Sequence, residues 1–424
     1  MKKEMILKGD LCYSTTKDHM EFRKDAYLTC RDGIITGVYD ELPKQYKTFE
    51  ILDFSGHLIV PGMTDLHVHA PQYAFRGMGM DMELLDWLNT HTFPEEAKYK
   101  DPVYASNAYE LFTEDLKTSA TTRACIFGTI HVPATLKLME LLNDAGICSY
   151  VGKVNMDRNS PDYLIEEGAF SSAEATSEWI LAASGKFPHV KPILTPRFIP
   201  TCSDELMEKL RELQKLYDLP VQSHLSENQG EIDWVKELCP DASFYGDAYD
   251  RHGLFGKDVP TIMAHCVYSS AEEILRMKEN GVYIAHCPQS NTNLSSGIAP
   301  VRTYLEHEMN IGLGTDVAGG PGLSMFKAIA DAIQVSKLYW RLVDDSKKPL
   351  CMEEGFYLAT KGGGSFFGNV GSFEDGYEAD ILVLDESRMR HPQNLTVKER
   401  LERFLYLADD RCVLHKFIEG RQIF

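Results

Sequence analysis

Nowhere in the 424 residues do about 18 apolar side chains run together, so the sequence offers no membrane-spanning helix. The opening MKKEMILKGDLCYS carries an apolar run of only three residues before Lys8 and Asp10, too short for a signal-peptide hydrophobic region. Basic residues are in deficit: 43 Lys and Arg face 63 Asp and Glu, a formal charge of −20 that repels phosphate backbones and anionic membranes. With no local basic patch, neither nucleic acid nor membrane is expected as a partner. The ten cysteines are scattered singly from Cys12 to Cys412 without a CxxC pair, which argues against a disulfide framework and a thiolate zinc site. A reducing, cytoplasmic setting is expected. Internal repeats are missing, and the only biased tract is Gly362, Gly363 and Gly364, read as a turn or hinge.

What is present is ordinary globular composition, 44% hydrophobic and 25% charged, at a length that accommodates an α/β barrel plus a companion domain. From Pro61 to Val317 one theme recurs, a short apolar run that ends in polar residues and precedes a helical stretch. The runs are GMTDLHVHA from Gly62, ATTRACIFG from Ala120, CSYVGKVNMD from Cys148, VKPILTPRF from Val190, PVQSHLSE from Pro220, TIMAHC from Thr261, VYIAHCP from Val282 and IGLGTDV from Ile311. Strands alternating with helices imply right-handed βαβ units and a parallel sheet. Eight of them predict a (β/α)₈ TIM barrel over 61–369, with its chemistry at the strands' C-terminal ends. Ala134 to Ala145 is expected to be helical and to stop at Gly146, and Ser270 with Glu273 fits a capping box. Residues 1–60 and 370–424 carry short β-prone pieces (AYLTC, GIITGVYD, ADILVLD, CVLHKFIEG) with no long periodic helix between them, and are expected to form one small β-sandwich-like domain.

His67 and His69 flank Val68 at the end of the first run, so both imidazoles leave the same face of a strand, roughly 6.6 Å apart along it, and can pinch one metal ion. His224 in SHLSEN, His265 in MAHC and Asp316 in GLGTDVAGG each end a later run, which gathers four histidines and an aspartate at one rim. Nitrogen and oxygen donors of this kind suit Zn²⁺ or Fe²⁺, and a water completing the shell would have its pKa lowered to about 7, the chemistry of a hydrolase or deaminase. Glu227 lies three residues past His224 and off its strand face, better placed for a proton shuttle than for a ligand.

PGMTDLHVHAPQYAFRG, TPRF, SHLSEN, AHCPQSN and GLGTDVAGG resemble the amidohydrolase superfamily, and DMELLDWLNTHTFPEE with VGKVNMD extends the likeness to its guanine-deaminating members. The resemblance implies a mononuclear zinc site with His67, His69, His224 and Asp316 as ligands, Glu227 as proton shuttle, and His265 holding the attacking water. It implies that Gln72, Arg197 and the backbone beside Phe198 recognise a purine, that guanine is hydrolysed to xanthine and ammonia, and that the chain is a homodimer. One Zn²⁺ per chain is expected, with Fe²⁺ as the alternative. TPRF has no lysine that could be carbamylated to bridge a second ion, and Lys153 is expected in a structural ion pair. Guanine is flat and neutral, so apolar walls are also needed; Trp87, Phe93 and Phe198 are candidates, Phe93 more simply as core. Two rivals remain from the sequence: a related aminohydrolase acting on 8-oxoguanine, a pterin, a triazine or an adenosine derivative, and a catalytically silent barrel used for binding.

Overall fold

The computed structural model describes residues 4–424, a mixed α/β arrangement with three main sheets. Four strands come first: β1 (Glu4–Thr16), β2 (His19–Arg31), β3 (Ile34–Tyr39) and β4 (Ile51–Pro61). The helix-rich middle contains β5 (Met63–His69), β6 (Thr121–Phe127), β7 (Cys148–Gly152), β8 (Val154–Asn155), β9 (Val190–Pro192), β10 (Thr195–Pro196), β11 (Val221–Leu225), β12 (Thr261–His265), β13 (Tyr283–His286) and β14 (Asn310–Leu313). Last are β15 (Ile381–Leu384), β16 (Val413–Ile418) and β17 (Arg421–Gln422).

β5, β6, β7 and β9 form one parallel sheet and β11 to β14 another, each strand connected to the next through helices. Each of the eight apolar runs yields strand. Two are split, the third into β7 and β8 and the fourth into β9 and β10, the latter run containing two prolines that cannot donate to a ladder. Backbone hydrogen bonds cross both gaps between the sheets. Leu194 N donates to Pro220 O and Gln222 N to Leu194 O, both at 2.9 Å, while Asp316 N donates to His67 O at 2.8 Å and His69 N to Val317 O at 3.1 Å. Every residue of β5 and β6 is buried, as expected for parallel strands covered on both faces.

The helix expected near Ala134 runs Val132–Asp144, and Gly146 follows in the left-handed conformation that ends it. At Ser270 half the capping box forms: its side chain accepts from Glu273 N. The Glu273 carboxylate reaches away instead, accepting from Ser226 Oγ at 2.8 Å and Gly246 N at 2.7 Å. Lys153 is fully buried and paired with Glu166.

The terminal segments form one continuous seven-stranded sheet, β17-β16-β15-β4-β1-β2-β3, where a sandwich-like pair was expected. Alternation explains its two buried faces. Leu58, Val60, Leu382 and Leu384 point to the large core of the helix-rich region, while Ile59, Ile381, Val383 and Leu11 enclose a separate core with Phe373 and Phe417. Buried Arg123 in β6 clamps the two regions: its Nε donates to Asp380 Oδ2 at 2.7 Å and its Nη2 to Asp380 Oδ1 at 3.0 Å.

Two further expectations are corrected. A helix, Val397–Leu407, does lie between β15 and β16; Thr396 and Glu399 form a complete capping box, and Val397, Leu401, Phe404 and Leu405 make its buried stripe. The three glycines are not a hinge but part of a helical stretch packed on the strands. A Cβ on Gly312 in β14 would lie 2.6 Å from the Gly363 Cα, so the triplet serves close approach.

Candidate active site

The C-terminal ends of β5, β11, β12 and β14 converge. His67 and His69 end β5, His224 is the penultimate residue of β11, His265 ends β12, and Asp316 lies three residues past β14. Backbone φ is positive at Ser226 (48°), His265 (73°) and Asp316 (46°), so the chain turns sharply where these side chains are presented, a local cost that the surrounding packing sustains. Gly314 has no room for a side chain, because a Cβ there would stand 2.9 Å from the His67 Cβ and the Cys287 Sγ. Asp65 braces the same corner, accepting from Thr315 N at 3.0 Å, Thr315 Oγ1 at 2.5 Å and His67 N at 3.2 Å.

The Nε2 atoms of His67 and His69 are 3.2 Å apart, as are those of His69 and His224. Asp316 Oδ1 lies 3.2 Å from His67 Nε2 and 3.4 Å from His69 Nε2. His224 Nδ1 donates to Arg197 O at 2.6 Å, which leaves its Nε2 as a bare lone pair pointing at the other rings. Burial first, then the neighbouring imidazole of His67, holds His69 and His224 well below the ordinary histidine range. Burial alone would raise Asp316, but His67 first, then His265 and His69, outweigh it and keep this carboxyl low. Neutral imidazole lone pairs aimed at one another beside a carboxylate repel unless a cation sits among them, so the donor set fits a transition metal. The ligand-type atoms of His67, His69 and His224 lie within 4.8 Å of one another, as do those of His67, His265 and Asp316.

The buried Glu227 stands beside this group. Its Oε1 accepts from Ser296 Oγ at 3.1 Å, and its Oε2 is 3.4 Å from His265 Nε2. Burial, then the negative Asp316, pushes the Glu227 carboxyl well above its ordinary range and makes it a stronger base than a solvated glutamate. His265 is oriented by Asn291, whose Oδ1 accepts from Nδ1 at 2.8 Å. His286 is not hydrogen-bonded to this group: both its ring nitrogens are buried without a hydrogen-bond partner.

A cleft opens over these groups, and Gln72, Trp87, Arg197 and Phe198 line it with His69, His224, Glu227, His265 and Asp316. His67 does not line it. Phe93 does not line the cleft but packs under Arg197, 5.2 Å from its guanidinium. Sequence reasoning missed Glu231, Leu84, Leu88 and Leu294 on the cleft wall. It also missed Phe127, whose ring lies 4.5 to 5.0 Å from His67, His69 and His224. Its signal was its place at the end of the second run.

Residues 58–423 match the model of the amidohydrolase family. The chain belongs to that family. Guanine deaminase of Mus musculus is 38% identical to it over 99% of this chain and 96% of the relative, and guanine deaminase of Escherichia coli is 35% identical over 96% and 92%. The crystal structure of guanine deaminase from C. acetobutylicum with guanine bound in its active site superposes with a TM-score of 0.97 at 50% identity, covering 100% of both chains. The amidohydrolase site described above thus lies in a chain similar throughout its length to guanine-deaminating proteins.

Proposed function

We propose that this protein is a metal-dependent guanine deaminase, hydrolysing guanine to xanthine and ammonia. The observation that carries the reading is the set of bare imidazole nitrogens and Asp316 facing Glu227 across a cleft that also presents Arg197 and Gln72. Similarity to guanine deaminases over nearly the full chain supports the same substrate. His67, His69, His224 and Asp316 would hold one Zn²⁺, or Fe²⁺ in its place, and the bound ion would supply Lewis acidity toward the attacking water.

The chain's own residues then divide the work. Arg197 and Gln72 bind the purine edge bearing O6, and Trp87 and Phe198 wall its faces. Glu227 takes a proton from the attacking water and delivers it to N3 while the water oxygen adds at C2. His265 and Asp316 orient that water. Glu227 then carries the proton of the added hydroxyl to the 2-amino group, and collapse of the tetrahedral carbon breaks the C2–N bond, expelling ammonia and leaving the carbonyl of xanthine.

We further propose that β5 to β14 close as a (β/α)₈ barrel within residues 61–369, supported by the hydrogen bonds across both gaps, with 1–60 and 370–424 as the small β domain. The proposed setting is cytoplasmic, in keeping with ten free cysteines, and the proposed assembly is a homodimer. No helix among the described residues is long and apolar enough to cross a membrane. An ammonia-release assay over guanine, 8-oxoguanine, a pterin, a triazine, adenosine and adenine tests the activity. Turnover of another member in preference to guanine would refute it, and light scattering tests the dimer.

A further inference from the structure

We propose that Glu96 is a positioning residue that sets which edge of Arg197 is offered to the substrate and so enforces selection for a 6-oxo purine; the proposal rests on the guanine reading above. Glu96 follows Glu95 in the short helical segment Phe93–Glu96, yet the two glutamates behave differently. Both are buried, but Glu95 pairs with Lys98 and Tyr104, while Glu96 reaches Arg197 and Gln72. Its Oε2 accepts from Arg197 Nη1 at 2.6 Å, and its Oε1 accepts from Arg197 Nη2 at 3.2 Å and from Gln72 Nε2 at 2.9 Å.

One carboxylate therefore holds both proposed purine-reading side chains. Gln72 Oε1 accepts from Ala318 N at 3.1 Å, so both ends of this amide are committed, leaving one N–H and one lone pair for a ligand. A guanidinium has five N–H groups in one plane. Glu96 takes the end-on pair, and Met156 Sδ lies 3.9 Å from Nη1. The N–H of Nε and the second N–H of Nη2 remain, side by side on one edge. That fork matches two adjacent acceptors, the O6 and N7 of guanine, as in the bidentate arginine–guanine pairing of the DNA major groove. Glu96 also balances the arginine charge, which suits a pocket for a neutral base.

The test compares guanine with 2-aminopurine, which keeps the 2-amino group and N7 but has hydrogen at position 6. Steady-state kinetics on both bases, metal analysis and thermal unfolding are measured for wild type, Glu96→Gln and Glu96→Asp. Glutamine removes one acceptor and the charge, and aspartate keeps the charge but withdraws it by a methylene, so both release Arg197 and Gln72. The expected result is a rise of about tenfold or more in KM for guanine and a fall of at least about tenfold in the guanine to 2-aminopurine ratio of kcat/KM, at unchanged metal content. If Glu96→Gln does not fold, Glu96→Asp carries the same ratio test. A merely structural carboxylate would lower both substrates equally, and an unchanged ratio overturns the proposal. Absence of guanine turnover in wild type overturns the guanine reading itself, before any variant is compared.

Discussion

Replacing Glu227 by glutamine separates proton transfer from every other property of the site. The two side chains have nearly the same volume, and the amide oxygen can still accept from Ser296 Oγ, which lies 3.1 Å from Glu227 Oε1. Packing and metal binding are therefore retained, and what disappears is basicity. Proton transfer by a placed side chain contributes about 10² to 10⁴ in rate, so kcat should fall by that factor, equivalent to about 2.7 to 5.4 kcal/mol of barrier. Stability should move the other way or not at all. The folded-state pKa of Glu227 is raised by burial and then by Asp316, so between its ordinary and raised values the folded chain binds more protons than the unfolded one. Folding stability then falls as pH rises through that window, and a neutral amide escapes this loss. The thermal midpoint of Glu227→Gln near neutral pH should equal or exceed that of wild type. Ammonia release, guanine binding, metal analysis and thermal unfolding on the same preparation check the set. A kcat within about threefold of wild type, with metal retained, would refute the shuttle role.

Purified protein should carry about one transition-metal ion per chain, and His224→Ala should lose it together with activity; elemental analysis decides, with two tightly held equivalents or full activity after exhaustive chelation counting against a single site. Arg197→Ala should raise KM and lower kcat at normal metal content, and wild type should discriminate against adenine by about 10⁴ or more, since an amino group in place of O6 leaves buried donors unpaired; comparable kcat/KM for the two bases would contradict this. Asp380→Asn leaves the buried Arg123 guanidinium with the Glu378 carboxylate, 2.5 Å from Nη2, as its one remaining ion-pair partner, and should cost about 3 kcal/mol in urea unfolding, whereas a loss below about 1 kcal/mol would mean that the Asp380 pair does not lock the terminal sheet to β6.

The metal-type constellation could be read in the sequence because each member ends an apolar run: alternation put His67 and His69 on one strand face, and parallel strands brought His224, His265 and Asp316 to the same end. Period-2 runs carry that information locally. Glu96 and Glu231 could not be found this way, since a glutamate in a polar helical segment has the same sequence signature whether it meets solvent or folds inward. The helix Val397–Leu407 was legible in principle, through Thr396, Glu399 and the spacing of Val397, Leu401, Phe404 and Leu405, but the neighbouring strand-like pieces masked its period. Gly362 to Gly364 misled for a different reason. Glycine serves close approach as well as turns, and only the opposing Gly312 tells them apart.

The order of the terminal sheet has a consequence for biosynthesis. β4 is hydrogen-bonded on one side to β1 and on the other to β15, more than 300 residues later in the chain. During vectorial synthesis, β1 to β4 emerge before β15 and leave the β4 edge open until more than 300 further residues have been made. Ile59 can then gain its neighbours Ile381 and Val383, and Arg123 its partner Asp380. Such pairing across large sequence separations is slow, and an unpaired apolar edge is the kind of surface on which nascent chains associate wrongly or recruit chaperones. Cutting the chain before Ile381 would not trim a tail; it would remove the strands that cover β4, so a truncated product should be cleared by proteolysis even though all the residues converging on the cleft have already been made.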